Sequence, residues 1–96
     1  MLERALHISA EGIRRHPNRA GALHMHGLSL YALNRAGGKA SLEDAELYLE
    51  RAQKLDPYFM PTRLLRKSVA EARKDQDKAS RISQEIRALE TKLPRR

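Results

Sequence analysis

The sequence predicts an all-α protein of about five helices that pack as antiparallel hairpins. Apolar residues recur three and four positions apart along most of the chain, which is the spacing of one face of an α-helix. Pro17, Pro57 and Pro61 interrupt this pattern at points where helices can end or begin. Hydrophobic residues make up 41% of the chain but aromatic residues only 4%, which suits helices packed through small side chains.

Composition excludes several classes of protein. The 96 residues are enough for one small domain, and the absence of Cys rules out disulfides, thiol chemistry and Cys-ligated zinc. The first residues lack the apolar core of a secretory signal, and no apolar run approaches the ~18 residues that span a membrane. We therefore expect a cytoplasmic protein that makes no use of a membrane. The net charge of +7 favours acidic partners.

The first predicted helix covers residues 2–16 and ends before Pro17. Gly12 lowers its stability by roughly 1 kcal/mol relative to Ala, which is tolerable where another helix comes close. Its apolar residues occupy more than one side, so packing on a single neighbour leaves some of them exposed, and a symmetric homodimer or an upstream repeat could cover them. The predicted inner residues are Leu2, Ala5, Leu6, Ile8, Ser9 and Ile13.

The second and third predicted helices form a hairpin over residues 20–57. A loop at 34–40 separates them, because Gly37-Gly38 is a strong turn signal. Ser41 can cap the third helix, and acidic residues follow in its first turns, as the helix dipole prefers. Ala45, Leu49 and Ala52 share one face of this helix. We predict that Leu49 and Ala52 are buried between the second and third helices.

The last predicted pair covers residues 61–93. Pro61 suits a first helical turn, and the fourth helix runs to about residue 74. Asp75 or Asp77 can cap a fifth helix that continues to Leu93. Because no Gly or Pro lies between residues 62 and 93, one continuous helix is the alternative to the hairpin that we favour. The apolar stripe of the fifth helix consists of Ile82, Ile86, Leu89 and Leu93.

The pattern A-x3-L-x2-A-x4-P at Ala45, Leu49, Ala52 and Pro57 resembles the second half of a tetratricopeptide (TPR) repeat. The same spacing recurs in helix 2–16, and residues 23–30 match part of the first half, although His26 departs from the pattern. The resemblance implies a right-handed α-solenoid. Residues 2–16 would be a lone B-type helix, 20–57 a hairpin with a long loop, and 61–93 a degenerate capping hairpin.

TPR proteins hold a peptide or a partner helix in a groove lined by the first helix of each hairpin. The resemblance therefore implies a non-enzymatic protein-interaction module with a scaffold or adaptor role. The clamp that some members use for chaperone tails is not present, because its positions read His24, Leu28 and Leu65. Ordinary packing between helices is the alternative role for His24, Leu28 and Tyr31. The groove candidates are His24, Leu28, Tyr31, Leu64, Ser68 and Glu71.

A basic helical nucleic-acid binder is the alternative function, and we favour it less. Cations recur at helical spacing in the fourth helix, as expected of an electrostatic footprint. Acidic residues are interleaved with them, however, and the last two helices lack aromatic residues for stacking on bases. The candidate basic patch consists of Arg63, Arg66, Lys67, Arg73 and Lys74.

No arrangement of residues indicates catalysis, a metal site or a cofactor. His24 and His26 are two residues apart and point to different faces, whereas zinc ligands on one helix are four apart. Histidine in packing or at the surface is the simpler interpretation. Gly37-Gly38 is not followed by the Lys-Ser/Thr of a phosphate-binding loop. We therefore expect no enzymatic activity, no metal and no cofactor.

Overall fold

Five α-helices joined by short turns account for most of the chain. A computed structural model describes residues 2–92 and contains no strand in that range. The all-helical class and the five helices are confirmed, with ends within about two residues of those predicted. Leu93 and Pro94, where the last helix was predicted to end, lie outside the described residues. The helices are α1 Leu2–Arg15, α2 Ala20–Arg35, α3 Leu42–Leu55, α4 Met60–Ala72 and α5 Gln76–Lys92.

Each helix packs against the next one along the chain. The backbone of α2 also approaches that of α4, whereas the backbone of α1 comes close only to α2 among the described helices. None of the helices within residues 2–92 is long and apolar enough to cross a lipid bilayer.

The most extensive contact between the described helices lies between α2 and α3. Leu49 and Ala52 of α3 are buried, as predicted, and Ala45 is buried beside them. A Cβ atom placed on Gly27 of α2 would lie 2.7 Å from Leu49 Cγ and 3.2 Å from the Ala45 carbonyl oxygen. Only glycine therefore permits this approach. Leu30 of α2 completes the cluster together with Val69 of α4.

The loop between α2 and α3 is built by glycine and by a serine cap. Gly37 has a φ of 86°, a left-handed conformation that glycine adopts without strain. The N–H of Gly38 donates to the Leu33 carbonyl at 2.8 Å and so closes the end of α2. Ser41 Oγ then accepts from the N–H of Asp44 at 3.2 Å and caps α3, as predicted.

The chain reverses between α4 and α5. The predicted hairpin is therefore confirmed, and the alternative of one continuous helix is wrong. Lys74 has a φ of 61°, and the N–H of Asp75 donates to the Ala70 carbonyl at 2.9 Å. These features form the Schellman turn that ends many helices. Asp75 Oδ1 accepts from the N–H of Lys78 at 3.1 Å and caps α5. Ala70, Ala79 and Ile82 form a second apolar cluster between the two helices.

Burial on α1 and α4 departs from what the type and spacing of the residues suggest. Ala5 and Ile8 were predicted to face inward but are exposed, Ile8 by 63%, because α1 approaches the backbone of α2 alone. Thr62 and Arg66 of α4 are buried although both are polar. Their burial follows from contacts with other helices, described below.

Candidate protein-binding surfaces

The predicted groove residues lie on two helices that contact each other. They recur at intervals of three or four on each helix, so each set shares one face. The link between the helices is His24 of α2. Its Nδ1 lies 2.9 Å from Thr62 Oγ1 of α4, and its ring meets that of Phe59 edge-on at 5.5 Å between centroids. We call the following set the α2/α4 surface: His24, Leu28, Tyr31, Leu64, Ser68 and Glu71.

Members of the α2/α4 surface differ in their accessibility. Leu64 is 50% exposed and Glu71 is exposed, whereas Leu28 and Tyr31 are half-buried. Tyr31 also packs against the core between α2 and α3, so part of its ring serves stability. Phe59, immediately before α4, is 44% exposed. The surface therefore offers apolar groups to solvent next to a fixed contact between α2 and α4.

Both histidines of α2 contact residues of other helices, and packing between helices was one of the two roles left open for His24. His26 Nδ1 lies 3.0 Å from Ser9 Oγ, and its ring meets that of Tyr48 edge-on at 4.5 Å between centroids. The single Ser9 hydroxyl hydrogen is donated to the Leu6 carbonyl, so Nδ1–H of His26 is assigned as the donor to Ser9. Burial lowers the pKa of His26, and the Asp44 carboxylate partly offsets this effect. Burial also lowers the pKa of His24.

The candidate basic residues are not assembled into one free patch. Arg66 is 8% exposed, and its guanidinium donates to Gln53 Oε1 at 2.7 Å. The same guanidinium lies 3.6 Å from a Glu50 oxygen and 3.7 Å from a Glu85 oxygen. Arg63 also faces Glu85, at 3.7 Å. Lys67 and Lys74 are the two of the five whose side chains have no partner within residues 2–92.

A buried carboxylate, which the sequence analysis did not single out, joins three helices. Glu46 Oε1 of α3 accepts from Arg73 at 2.9 Å and from Lys78 Nζ of α5 at 2.6 Å. Burial disfavours the charged form of Lys78, but its bonds to Glu46 and Glu50 outweigh that effect and raise its pKa. Glu46 and Glu50 each follow a buried residue of α3, Ala45 and Leu49. This spacing could have identified both residues from the sequence, because it places them at the edge of the buried face of α3.

An open apolar groove of about 480 Å³ lies between α1 and α2. Two exposed apolar side chains flank it, Ile8 at 63% and Met25 at 52%. The sequence analysis anticipated exposed apolar residues on α1 but did not identify a groove. We call it the α1/α2 groove, and the residues used below are Ile8, Gly12, His16, Arg19, Gly21 and Met25.

Within residues 2–92 no group of histidine, aspartate and glutamate side chains is arranged to hold a metal ion. Comparison of the whole chain with protein-family models, with curated protein sequences and with solved structures finds no match.

Proposed function

We propose that this chain is a non-enzymatic protein-interaction module that binds a peptide or a partner helix on the α2/α4 surface. A scaffold or adaptor role follows from binding without catalysis. The observation that carries the proposal is the direct contact of α2 with α4, through His24, Thr62 and Phe59, beside apolar groups that remain open to solvent.

A TPR-like arrangement of the helices is part of this proposal. Its support is the order of packing. Each helix packs against the one before it in the chain, and α2 also contacts α4. In such an arrangement the first helices of successive hairpins lie side by side. Gly27 of α2 and the small residues Ala45 and Ala52 of α3 allow the close packing of the two helices within one hairpin.

The chemistry of the surface suits a peptide with an apolar anchor. Leu64 is exposed on α4, while Leu28 and Tyr31 are held in place on α2 by partial burial. Anchors that are already positioned lose little conformational freedom when a partner binds. Ser68 and Glu71 supply polar groups at the edge, as is typical of interaction surfaces.

The nucleic-acid alternative has less support. Arg63, Arg66 and Arg73 face carboxylates, which reduces the positive potential available to phosphates. Electrophoretic mobility with mixed DNA and RNA tests this alternative. Binding through several phosphates would weaken by orders of magnitude between about 50 and 200 mM salt. We expect no mobility shift even at the lower salt concentration.

A displayed library of random peptides tests the proposed surface. Peptides enriched on the wild-type protein are measured by fluorescence anisotropy against Leu64→Glu and against Leu47→Glu, a matched change at a leucine of α3 that is 51% exposed. We expect Leu64→Glu to weaken binding by about tenfold or more and Leu47→Glu to leave it unchanged. Failure to enrich any peptide that depends on Leu64 would contradict the proposal.

A further inference from the structure

The α1/α2 groove is an apolar surface that the described chain leaves uncovered. Ile8 and Met25 flank it from α1 and α2, and both are more than half exposed. Exposed apolar groups gathered around a concave surface commonly mark an interface. The groove is separate from the α2/α4 surface, since its lining residues include none from α4.

Two glycines in the groove are not required by the packing of the described chain. A Cβ atom on Gly12 or on Gly21 would meet no neighbouring atom within 4 Å. Gly27, by contrast, is needed because Leu49 fills the space beside it. Glycine is one of the least favourable residues inside a helix, so Gly12 weakens α1 without serving an internal contact. What it provides is room for a partner to approach the backbone.

The shape of the groove favours a helix over a peptide that pairs as a β-strand. Peptides of that kind bind by adding a strand to the edge of a sheet, where backbone groups are free to pair. Both walls of this groove are helices, whose backbone groups are already paired within each helix. A groove between two helices instead accepts the ridge of side chains along a third.

The charge at the end of the groove determines what kind of helix fits. His16 and Arg19 line that end, and no carboxylate lines the groove among the described residues. The Arg19 side chain has no partner within residues 2–92, whereas the nearby Arg14 and Arg15 side chains both pair with Glu11. A second copy of the chain also carries a net charge of +7, and this repulsion between copies disfavours self-docking.

We propose that the α1/α2 groove docks an amphipathic helix of another protein. The apolar stripe of that helix lies against Ile8 and Met25 and comes closest to the backbone at Gly12 and Gly21. Its acidic residues lie against Arg19.

Two synthetic helical peptides are the probes for this proposal. They share one stripe of Leu and Ala and differ only in their polar positions, which are Glu in one peptide and Lys in the other. Fluorescence anisotropy at near-physiological salt measures their affinities. We expect the Glu peptide to bind about tenfold or more tightly than the Lys peptide. Equal affinities, or no binding of either peptide, would overturn the proposal.

Substitutions then locate the site. A Cβ atom at Gly12 meets no neighbour within 4 Å, and Gly12→Leu replaces glycine with a better helix former. The variant should therefore melt no lower than the wild type while weakening Glu-peptide binding by about tenfold or more. Ala10→Leu is the matched control, because Ala10 is exposed on α1 and does not line the groove. Equal effects of the two changes on binding would refute the site.

Arg19→Glu tests the role of charge, and light scattering tests the occupant. Arg19→Glu should shift the preference toward the Lys peptide, and an unchanged ratio of affinities would refute the acidic partner. A wild-type dimer that Gly12→Leu converts to a monomer would show that a second copy occupies the groove instead. Leu64→Glu should leave Glu-peptide binding unchanged. The proposal for the α1/α2 groove and the proposal for the α2/α4 surface can therefore fail independently.

Discussion

Leu49 is the side chain on which the packing of α2 against α3 depends. It is fully buried, and it occupies the space that Gly27 leaves open on α2. Leu30 and Val69 belong to the same cluster, so Leu49 also connects α2 and α3 to α4. A cavity at this position would remove contacts from three helices at once.

Leu49→Ala should lower the free energy of unfolding by about 2–5 kcal/mol, through lost transfer energy and the cavity left behind. Urea denaturation measures this change. Leu47→Ala is the control, because it makes the same substitution on the same helix at a side chain that is 51% exposed. Similar losses for the two variants would show that the assigned face of α3 is wrong.

His24 and His26 connect stability to pH through their buried environments. Burial lowers the pKa of each below the ordinary value of 6.5, and the Asp44 carboxylate only partly offsets this for His26. As pH falls through about 6.5, the unfolded chain therefore binds more protons than the folded chain does. The stabilisation is complete above that pH and is lost as the pH falls toward the lowered pKa values.

The free energy of unfolding should accordingly decrease between about pH 7 and pH 5. Urea denaturation at a series of pH values measures this slope. His24→Gln and His26→Gln should each reduce the slope, because each removes one titrating group. A wild-type slope retained in both variants would assign the pH dependence to other groups.

At the scale of an element, the turn between α4 and α5 shows a local conflict that tertiary structure overrides. Lys74 adopts a φ of 61°, in the left-handed region that residues with a Cβ atom rarely adopt. The turn nevertheless forms, because the Asp75 N–H donates to the Ala70 carbonyl at the end of α4 and the Asp75 carboxylate caps the start of α5. The apolar cluster of Ala79 and Ile82 with α4 then holds the hairpin closed.

Lys74→Gly should raise the free energy of unfolding by about 0.5–1 kcal/mol, because glycine adopts this conformation without strain. Thermal and urea denaturation both report the gain. Lys74→Ala removes the same side chain but keeps the Cβ atom, so it should bring no such gain. A stabilisation of equal size in both variants would indicate that the lysine charge, and not the backbone, is the cause.

At the scale of the whole molecule, α2 is the central helix. One of its faces packs on α3 through Gly27 and Leu30, and neighbouring faces meet α1 and α4. His24 lies toward α4 and Met25 toward the groove beside α1. Both proposed surfaces therefore share this helix, and its close contact with α3 supports them both.

The C-terminal hairpin is tied to the rest of the molecule by the cations around Glu46. Glu46→Gln should lower the free energy of unfolding by about 1–3 kcal/mol, because Arg73 and Lys78 would lose their charged acceptor in a largely buried site. Glu43→Gln is the control at a side chain that is 78% exposed, and it should change stability by less than about 0.5 kcal/mol. Urea denaturation of both variants shows whether the loss of stability depends on burial of the carboxylate.

The sequence by itself determined the five helices and the residues that end them. Pro17, Gly37, Ser41 and Asp75 act on their immediate neighbours, and the face shared by Ala45, Leu49 and Ala52 follows from the period of the helix. These effects span about four residues, so they can be read from local spacing. The candidates of the α2/α4 surface came instead from the resemblance to a TPR repeat, and their role in binding stays a prediction.

Tertiary structure alone decided which of those faces are covered and which charges are paired. The patterns of Ile8 and Leu49 both predict an inward side chain, yet one is 63% exposed and the other fully buried. The pairing of Glu46 with Lys78 joins residues 32 positions apart, and that of Arg66 with Glu85 crosses from α4 to α5. Burial and ion pairing depend on contacts between helices distant in the chain, and local periodicity carries no information about those contacts.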